Sequence, residues 1–143
     1  MIPTDPWWLP DGDVDAQAIA AGHLLAPGAD KVLVKRREEP VFWDAGENFE
    51  RVLCPGCGSE VPIDWWRDRM FAAWDTGCRF LEGTMPCCGI ATSLNDLVYE
   101  WPQGFARWVL EIMNPARGFL TDDEIERLAR MVGHSLREIW THI

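Results

Sequence analysis

The stretch that decides the fold is Cys54-Pro55-Gly56-Cys57-Gly58, together with the later stretch Met85-Pro86-Cys87-Cys88-Gly89. The first is a tight turn rich in proline and glycine, with two cysteines separated by two residues. Such a turn leaves backbone amides free to point at the sulfurs, and it lets two thiolates converge on one metal ion. When the second stretch is aligned with the first, Met85 stands at the position of Cys54. Cys87 then aligns with Gly56, the variable position of the Cys-Pro-x-Cys-Gly pattern. The two stretches therefore predict a pair of metal-binding knuckles.

Four thiolates at about 2.3 Å around Zn²⁺ make a closed tetrahedral site, which is structural rather than catalytic. We predict such a site at Cys54, Cys57, Cys87 and Cys88. The fourth ligand is the open point, because neighbouring side chains in an extended chain point to opposite faces. Cys87 and Cys88 converge only where the turn bends sharply between them. Cys78 is the competing ligand, although a lone cysteine among large apolar residues is more often a small buried hydrophobe.

Other interpretations of the cysteines stay open. Disulfides are disfavoured because five cysteines leave one unpaired and because a cytosolic setting keeps thiols reduced. A thioredoxin-type redox pair should open a helix after a buried strand, whereas residues 58–62 are typical of a turn. Inert thiols are the remaining possibility.

The chain is strongly acidic. It has 13 Lys and Arg against 23 Asp and Glu, which gives a formal net charge of −10 and an isoelectric point near 4.6. Four thiolates around one Zn²⁺ add about −2 more. Phosphate backbones repel such a surface, so we expect no nucleic-acid partner. A cationic protein would be attracted, and we expect a basic protein partner; solubility alone also explains the charge.

Neither a membrane span nor a signal peptide is indicated. No stretch approaches 18 consecutive apolar residues, and residues 1–5 lack the basic and apolar regions of a signal peptide. We therefore expect no membrane association and a cytoplasmic location. The sequence does not indicate the oligomeric state.

Nine tryptophans are the second unusual feature of the composition. Most should fill the core, because each can bury about 150–250 Å². The adjacent pairs are harder to bury, since neighbouring side chains diverge on a strand and on a helix alike. Exposed tryptophan is a favoured interface anchor. We therefore predict partner-binding residues among Trp7, Trp8, Trp65 and Trp66.

Residue patterns predict alternating helices and strands. The predicted helices cover residues 13–24, capped by Asp13 or Asp15, residues 64–75, and the segment from Thr121 to 132. The predicted strands cover residues 30–37 with an extension at 40–43, then 48–53, 78–82, 97–101 and 105–114. Residues 135–143 fit either element, with a strand beside residues 105–113 slightly favoured.

The predicted fold class is α+β, with a mixed or antiparallel sheet, helices on one face and a zinc-ribbon-like subdomain. A length of 143 residues suits one domain, and apolar residues make up 48%, enough for a sizeable core. We expect residues 1–143 to form that single domain, with the metal-binding subdomain at about 50–96.

A family resemblance rests on residues 54–58, 86–97 and 101–107. These stretches resemble small uncharacterised bacterial proteins with zinc-ribbon-like knuckles, over roughly residues 50–115. The resemblance implies no activity that can be carried over. Small acidic bacterial proteins of this size are often antitoxins or immunity proteins, which is an analogy at the level of class.

No catalytic motif is present in the sequence. A Gly-rich phosphate loop, Gly-x-Ser-x-Gly and His-Glu-x-x-His are all absent. We assign no catalytic residues and expect no enzymatic activity. The expected function is a zinc-stabilised protein-binding module, such as an inhibitor or immunity protein. The alternative is a zinc enzyme with three cysteine ligands and an open coordination position.

Overall fold

The computed structural model describes residues 1–142, and the predicted α+β class is confirmed there. The α-helices are α1 (Gly12–Leu25), α2 (Ile63–Asp75) and α3 (Asp122–Val132). The strands are β1 (Ile2–Pro3), β2 (Lys31–Trp43), β3 (Val52–Leu53), β4 (Glu82–Thr84), β5 (Ala91–Ser93), β6 (Val98–Tyr99), β7 (Gly104–Met113) and β8 (Leu136–Arg137). A single 3-10 turn at Leu94–Asp96 follows β5. None of the helices described is both long and apolar enough to cross a membrane.

In place of one sheet, the strands pair two by two, as β1–β8, β2–β7, β3–β6 and β4–β5. The β1–β8, β3–β6 and β4–β5 pairs are antiparallel. Most of these strands have only two or three residues, because glycine and proline turns interrupt the chain so often. Such short ladders depend on packing against neighbouring elements for their stability.

The chain divides into two compact units. The first contains Met1–Glu38 and Ala106–Glu138, and the second contains Glu39–Phe105 and the C-terminal residues from Ile139 onward. The divisions fall within β2 and β7, so both long strands contribute residues to both units. The expectation of one domain with a metal-binding subdomain at about 50–96 stays a prediction.

The first unit has its core around Trp108 and Leu110 of β7, which are fully buried. Helices α1 and α3 pack there through Ala18 and Leu128. The expected capping of α1 by Asp13 or Asp15 is wrong, because the helix begins at Gly12, which puts both residues inside its first turns. Asp15 accepts a hydrogen bond from the Trp108 indole at 2.9 Å and pairs with Arg36 at 2.6 Å.

Helix α3 begins and ends as its sequence predicts. The Thr121 side chain accepts from the Glu124 amide, and the Glu124 side chain accepts from the Thr121 amide, which is the predicted capping box. Gly133 ends the helix in the left-handed conformation, with φ of 95°. Local signals alone account for both boundaries.

The second unit has a core of residues from β3, both knuckles and β7. Its largest members include Met85, Tyr99 and Phe105. Helix α2 contributes the buried Ala73 and packs the half-buried Trp66 against this core. Both knuckles belong to this unit.

Several predicted strand boundaries are wrong. Strand β2 runs without a break through Pro40, the 48–53 strand shrinks to Val52–Leu53, and the strand predicted at 78–82 begins only at Glu82. Cys78 cannot belong to it, because its φ is 57°.

In the segment 135–143, the two-residue strand β8 pairs with β1 rather than beside residues 105–113. Ile143 lies outside the described residues.

Candidate metal centre

The two knuckles have the same backbone geometry. In the first, the Gly58 amide donates to the Cys54 carbonyl at 3.0 Å, and the Cys54 amide donates to the Ser59 carbonyl at 2.8 Å. In the second, the Gly89 amide donates to the Met85 carbonyl at 3.0 Å, and the Met85 amide donates to the Ile90 carbonyl at 2.9 Å. The matching bonds mean that Met85 holds in one turn the place that Cys54 holds in the other.

Both turns close through a glycine in the left-handed region. Gly58 has φ of 74° and Gly89 has φ of 75°. A side chain at either position would be strained by about 1–2 kcal/mol, because its Cβ would approach the following carbonyl oxygen. These glycines let each turn bend sharply enough to present sulfurs on one side.

The four predicted ligands converge. The Sγ atoms of Cys54, Cys57, Cys87 and Cys88 all lie within 4.8 Å of one another. The Cys57 and Cys87 sulfurs are 3.3 Å apart, and the Cys54 and Cys88 sulfurs are 3.7 Å apart. A regular tetrahedron with metal–sulfur bonds of about 2.3 Å has sulfur–sulfur edges of about 3.8 Å. The donor set and its spacing thus fit a tetrahedral thiophilic ion such as Zn²⁺.

The centre lies at the edge of the core. Cys54 is only 1% exposed and belongs to the hydrophobic core of its unit, whereas Cys57, Cys87 and Cys88 are exposed. Met85, at the equivalent of the Cys54 position, is just as deeply buried. Each knuckle therefore places its first residue in the core and its later cysteines outward.

Hydrogen bonds around the sulfurs favour thiolates in the first knuckle. The Ser59 hydroxyl lies 3.3 Å from the Cys57 sulfur, and together with the Ser59 amide it lowers the pKa of Cys57 to about 6. The Cys57 amide, and the Gly56 amide at 3.4 Å from the sulfur, lower the pKa of Cys54. The hydrogen bond between the Cys57 and Cys87 sulfurs raises the pKa of Cys87 to about 12. A metal ion that binds here must displace the Cys87 proton.

Cys78, the competing fourth ligand, is not part of the sulfur cluster. It is 3% exposed in the apolar core, and burial raises the pKa of its thiol. It behaves as the small buried hydrophobe that its neighbours in sequence indicate.

The four tryptophans predicted to bind a partner differ in their surroundings. Trp7 is 40% exposed, and the Arg107 guanidinium carbon lies 5.6 Å from its ring centroid. Trp8 is half-buried with its ring edge-on to Trp108 at 6.0 Å. These two tryptophans belong to the first unit.

In the second unit, Trp65 is half-buried beneath Arg69, whose guanidinium carbon lies 5.9 Å from its ring. Trp66 stacks on Phe49 at 5.2 Å and donates from its indole to the Tyr99 hydroxyl at 3.2 Å. Of the four, Trp7 is the most accessible and Trp66 is the most firmly held. Their role in binding a partner stays a prediction.

The most exposed aromatic side chains are ones that the sequence interpretation missed. Phe71, Trp74 and Phe80 are 65%, 68% and 71% exposed. By its spacing along the helix, Trp74 falls with Trp66, Met70 and Ala73, because it follows Met70 by four residues. Phe71 does lie away from Trp66 and Ala73 on the helix surface, but the exposure of Trp74 depends on how the helix packs, which residue spacing does not indicate.

No family model matches the chain, and comparison with curated proteins and with solved structures finds no match. The class of protein is therefore defined by its own fold and cluster: an α+β protein with a four-cysteine cluster that could hold a metal ion.

Proposed function

We propose that this chain is a non-catalytic, zinc-stabilised module that binds a basic protein partner, in the manner of an inhibitor or immunity protein. The observation that carries the proposal is the convergence of four cysteine sulfurs from two knuckles. Four protein ligands fill the coordination sphere of Zn²⁺ and leave no position for substrate or activated water. A metal held in this way stabilises structure.

The position of the cluster supports a structural role. Zinc would join the end of β3 to the turn between β4 and β5, two points about 30 residues apart in the sequence. Neither knuckle belongs to a long element that could hold it in place alone. The free energy of zinc binding is coupled to folding at such sites, so metal loss should loosen this whole unit.

The charge distribution supports a basic partner. The second unit contains eleven carboxylates and four arginines, a net charge of −7, which is most of the −10 of the chain. Four thiolates around Zn²⁺ would add about −2 to the same unit. Such a field attracts a cationic protein and increases its rate of association. The same field repels nucleic acids.

The proposal is tested by affinity capture with a metal-free control. The zinc-loaded protein and a chelator-treated sample are immobilised side by side and exposed to a lysate of the source organism. We expect the zinc-loaded sample alone to retain a basic protein. That protein should elute as salt rises from 0.1 M to 1 M, because the Debye length falls from about 10 Å to about 3 Å.

The captured protein is then purified and recombined with the zinc-loaded chain to confirm a direct complex. A chain that carries no zinc as purified would contradict the metal part of the proposal. Retention of no protein, or only of acidic proteins, would contradict the partner part. A site with three sulfurs and one water would favour the zinc-enzyme alternative.

A further inference from the structure

Helix α2 exposes two aromatic side chains next to the side that it packs against the core. Its inner side packs Trp66, Met70 and Ala73 against the core of the second unit. Its outer side carries Phe71 and Trp74, which are three residues apart and therefore neighbours on the helix surface. A surface helix normally has one apolar stripe that faces its core, so large apolar side chains exposed outside that stripe indicate an interaction surface. The outer side of α2 is uncovered within the described chain.

Carboxylates lie beside Phe71, on one side of the outer aromatic pair, and Arg67 lies on the stripe of the pair itself. Asp64, Asp68 and Asp75 are four, seven and eleven residues apart, which places them along one stripe of the helix beside Phe71. Asp64 pairs with Arg67 at 3.5 Å. Asp68 and Asp75 are exposed and form no ion pair within residues 1–142. They lie two turns apart, or about 10 Å along the helix axis.

We infer that Phe71, Trp74, Asp68 and Asp75, here called the α2 outer face, form the docking site for a basic amphipathic helix of a protein partner. This inference rests on the proposed function and names its contact surface. The two aromatic rings would be buried against the apolar side of the incoming helix. Two lysines or arginines seven residues apart on that helix would lie opposite Asp68 and Asp75.

Charge selects this occupant over a second copy of the chain. Two copies meeting through this face would bring two units of net charge −7 together, with carboxylates opposite carboxylates. Like charges that face each other across an interface disfavour the complex. A cationic helix removes that repulsion, and it covers the aromatic residues that interfaces use most as anchors.

The probe is a synthetic helical peptide with leucines on one side and lysines at a seven-residue spacing, labelled for fluorescence anisotropy. A second peptide has the lysines replaced by glutamine. The test variants of the zinc-loaded protein are F71A/W74A and D68N/D75N. The matched controls are F80A, an equally exposed aromatic outside α2, and D13N/E126Q, which removes two exposed carboxylates from the first unit.

We expect the wild type to bind the lysine peptide and to bind the glutamine peptide about tenfold or more weakly. Each α2 double variant should lose about tenfold or more in affinity for the lysine peptide, as truncated anchor residues do. Both controls should stay within about twofold of wild type. Zinc content and thermal unfolding, measured on every variant, establish that the comparison is made on folded protein.

Three results would overturn the inference. If the wild type binds the lysine peptide and the α2 variants bind it equally well, the docking site is elsewhere and the proposed function stands. If the wild type binds neither peptide, the inference fails together with the basic-partner part of the proposed function. If sedimentation finds a dimer that F71A/W74A abolishes, the α2 outer face belongs to a second copy of the chain.

Discussion

Met85 occupies in the second knuckle the position that Cys54 occupies in the first, and both side chains are buried in the same core. The missing sulfur is replaced by Cys87, which aligns with Gly56 of the first knuckle. This exchange moves one ligand two positions along the turn while the backbone of the turn is kept. The alignment of the two stretches predicted this substitution, because Pro86, Cys88 and Gly89 keep their counterparts.

The choice between Cys87 and Cys78 as fourth ligand gives the first prediction. Structural zinc binds with about 10–16 kcal/mol shared among four ligands, so Cys87→Ala should weaken zinc binding by about 100-fold or more. Cys78→Ala should keep the zinc and lower the free energy of unfolding by about 1–3 kcal/mol, as for a small buried side chain. Competition with a chromophoric chelator measures both affinities. Release of zinc by Cys78→Ala but not by Cys87→Ala would assign the fourth ligand to Cys78.

The equivalence of Met85 and Cys54 gives a second prediction. In the double variant M85C/C87A, the new sulfur occupies the place in the turn from which Cys54 points to the cluster. We expect M85C/C87A to bind zinc at least about tenfold more tightly than C87A does, measured in the same chelator competition. M85C in the wild-type background is the control for changes in the core. A double variant that binds zinc no more tightly than C87A would show that the two turns are not equivalent.

At the scale of elements, local signals predicted well where they were complete. Helix α3 has a capping box at one end and a left-handed glycine at the other. Strand β7 lies within one residue of its predicted bounds, although its burial does not alternate, since Val109 is buried between Trp108 and Leu110. Elements fixed by distant partners were predicted poorly. Strand β2 continues through Pro40, which cannot donate a hydrogen bond, and β8 exists because Ile2 and Pro3 lie beside it. Tertiary pairing of this kind leaves no signal in the local sequence.

The start of α3 gives a prediction of pH dependence. The Arg117 guanidinium lies 2.7 Å from the Glu124 carboxylate and, with the Thr121 amide, lowers the pKa of Glu124 to about 2. A carboxylate with a lowered pKa in the folded state stabilises the protein above its unfolded pKa of about 4.3. That stabilisation is lost as the pH falls toward 2. We therefore expect E124Q to be less stable than wild type at pH 7, with a difference that shrinks between about pH 4.5 and pH 2.

Denaturant unfolding of both proteins across this pH range measures the difference. Acid also releases zinc, but both proteins have the same metal centre, so its contribution cancels in the comparison. Glu126→Gln, an exposed residue of the same helix, is the matched control and should track wild type throughout. A stability difference between E124Q and wild type that stayed constant down to pH 2 would contradict the assigned pairing.

At the scale of the whole molecule, the net negative charge is concentrated in the unit that also contains the cysteine cluster and the exposed aromatic residues of α2, because that unit has few basic residues. Composition gave the net charge and the number of tryptophans, but neither quantity says which side chains are covered. Trp66 and Trp74 lie on the same helix, yet one is held by Phe49 and Tyr99 and the other faces solvent. That difference depends on how the helix is rotated against its core, which packing sets.

The central claim is that the four sulfurs form a closed metal centre. X-ray absorption at the zinc edge, recorded on the protein as purified under reducing conditions with about one zinc per chain, tests it most directly. A closed centre made by Cys54, Cys57, Cys87 and Cys88 predicts four sulfurs at about 2.3 Å and no lighter ligand. Three sulfurs with one oxygen or nitrogen at about 2.0–2.2 Å, or folded protein with no metal and five titratable thiols, would contradict it.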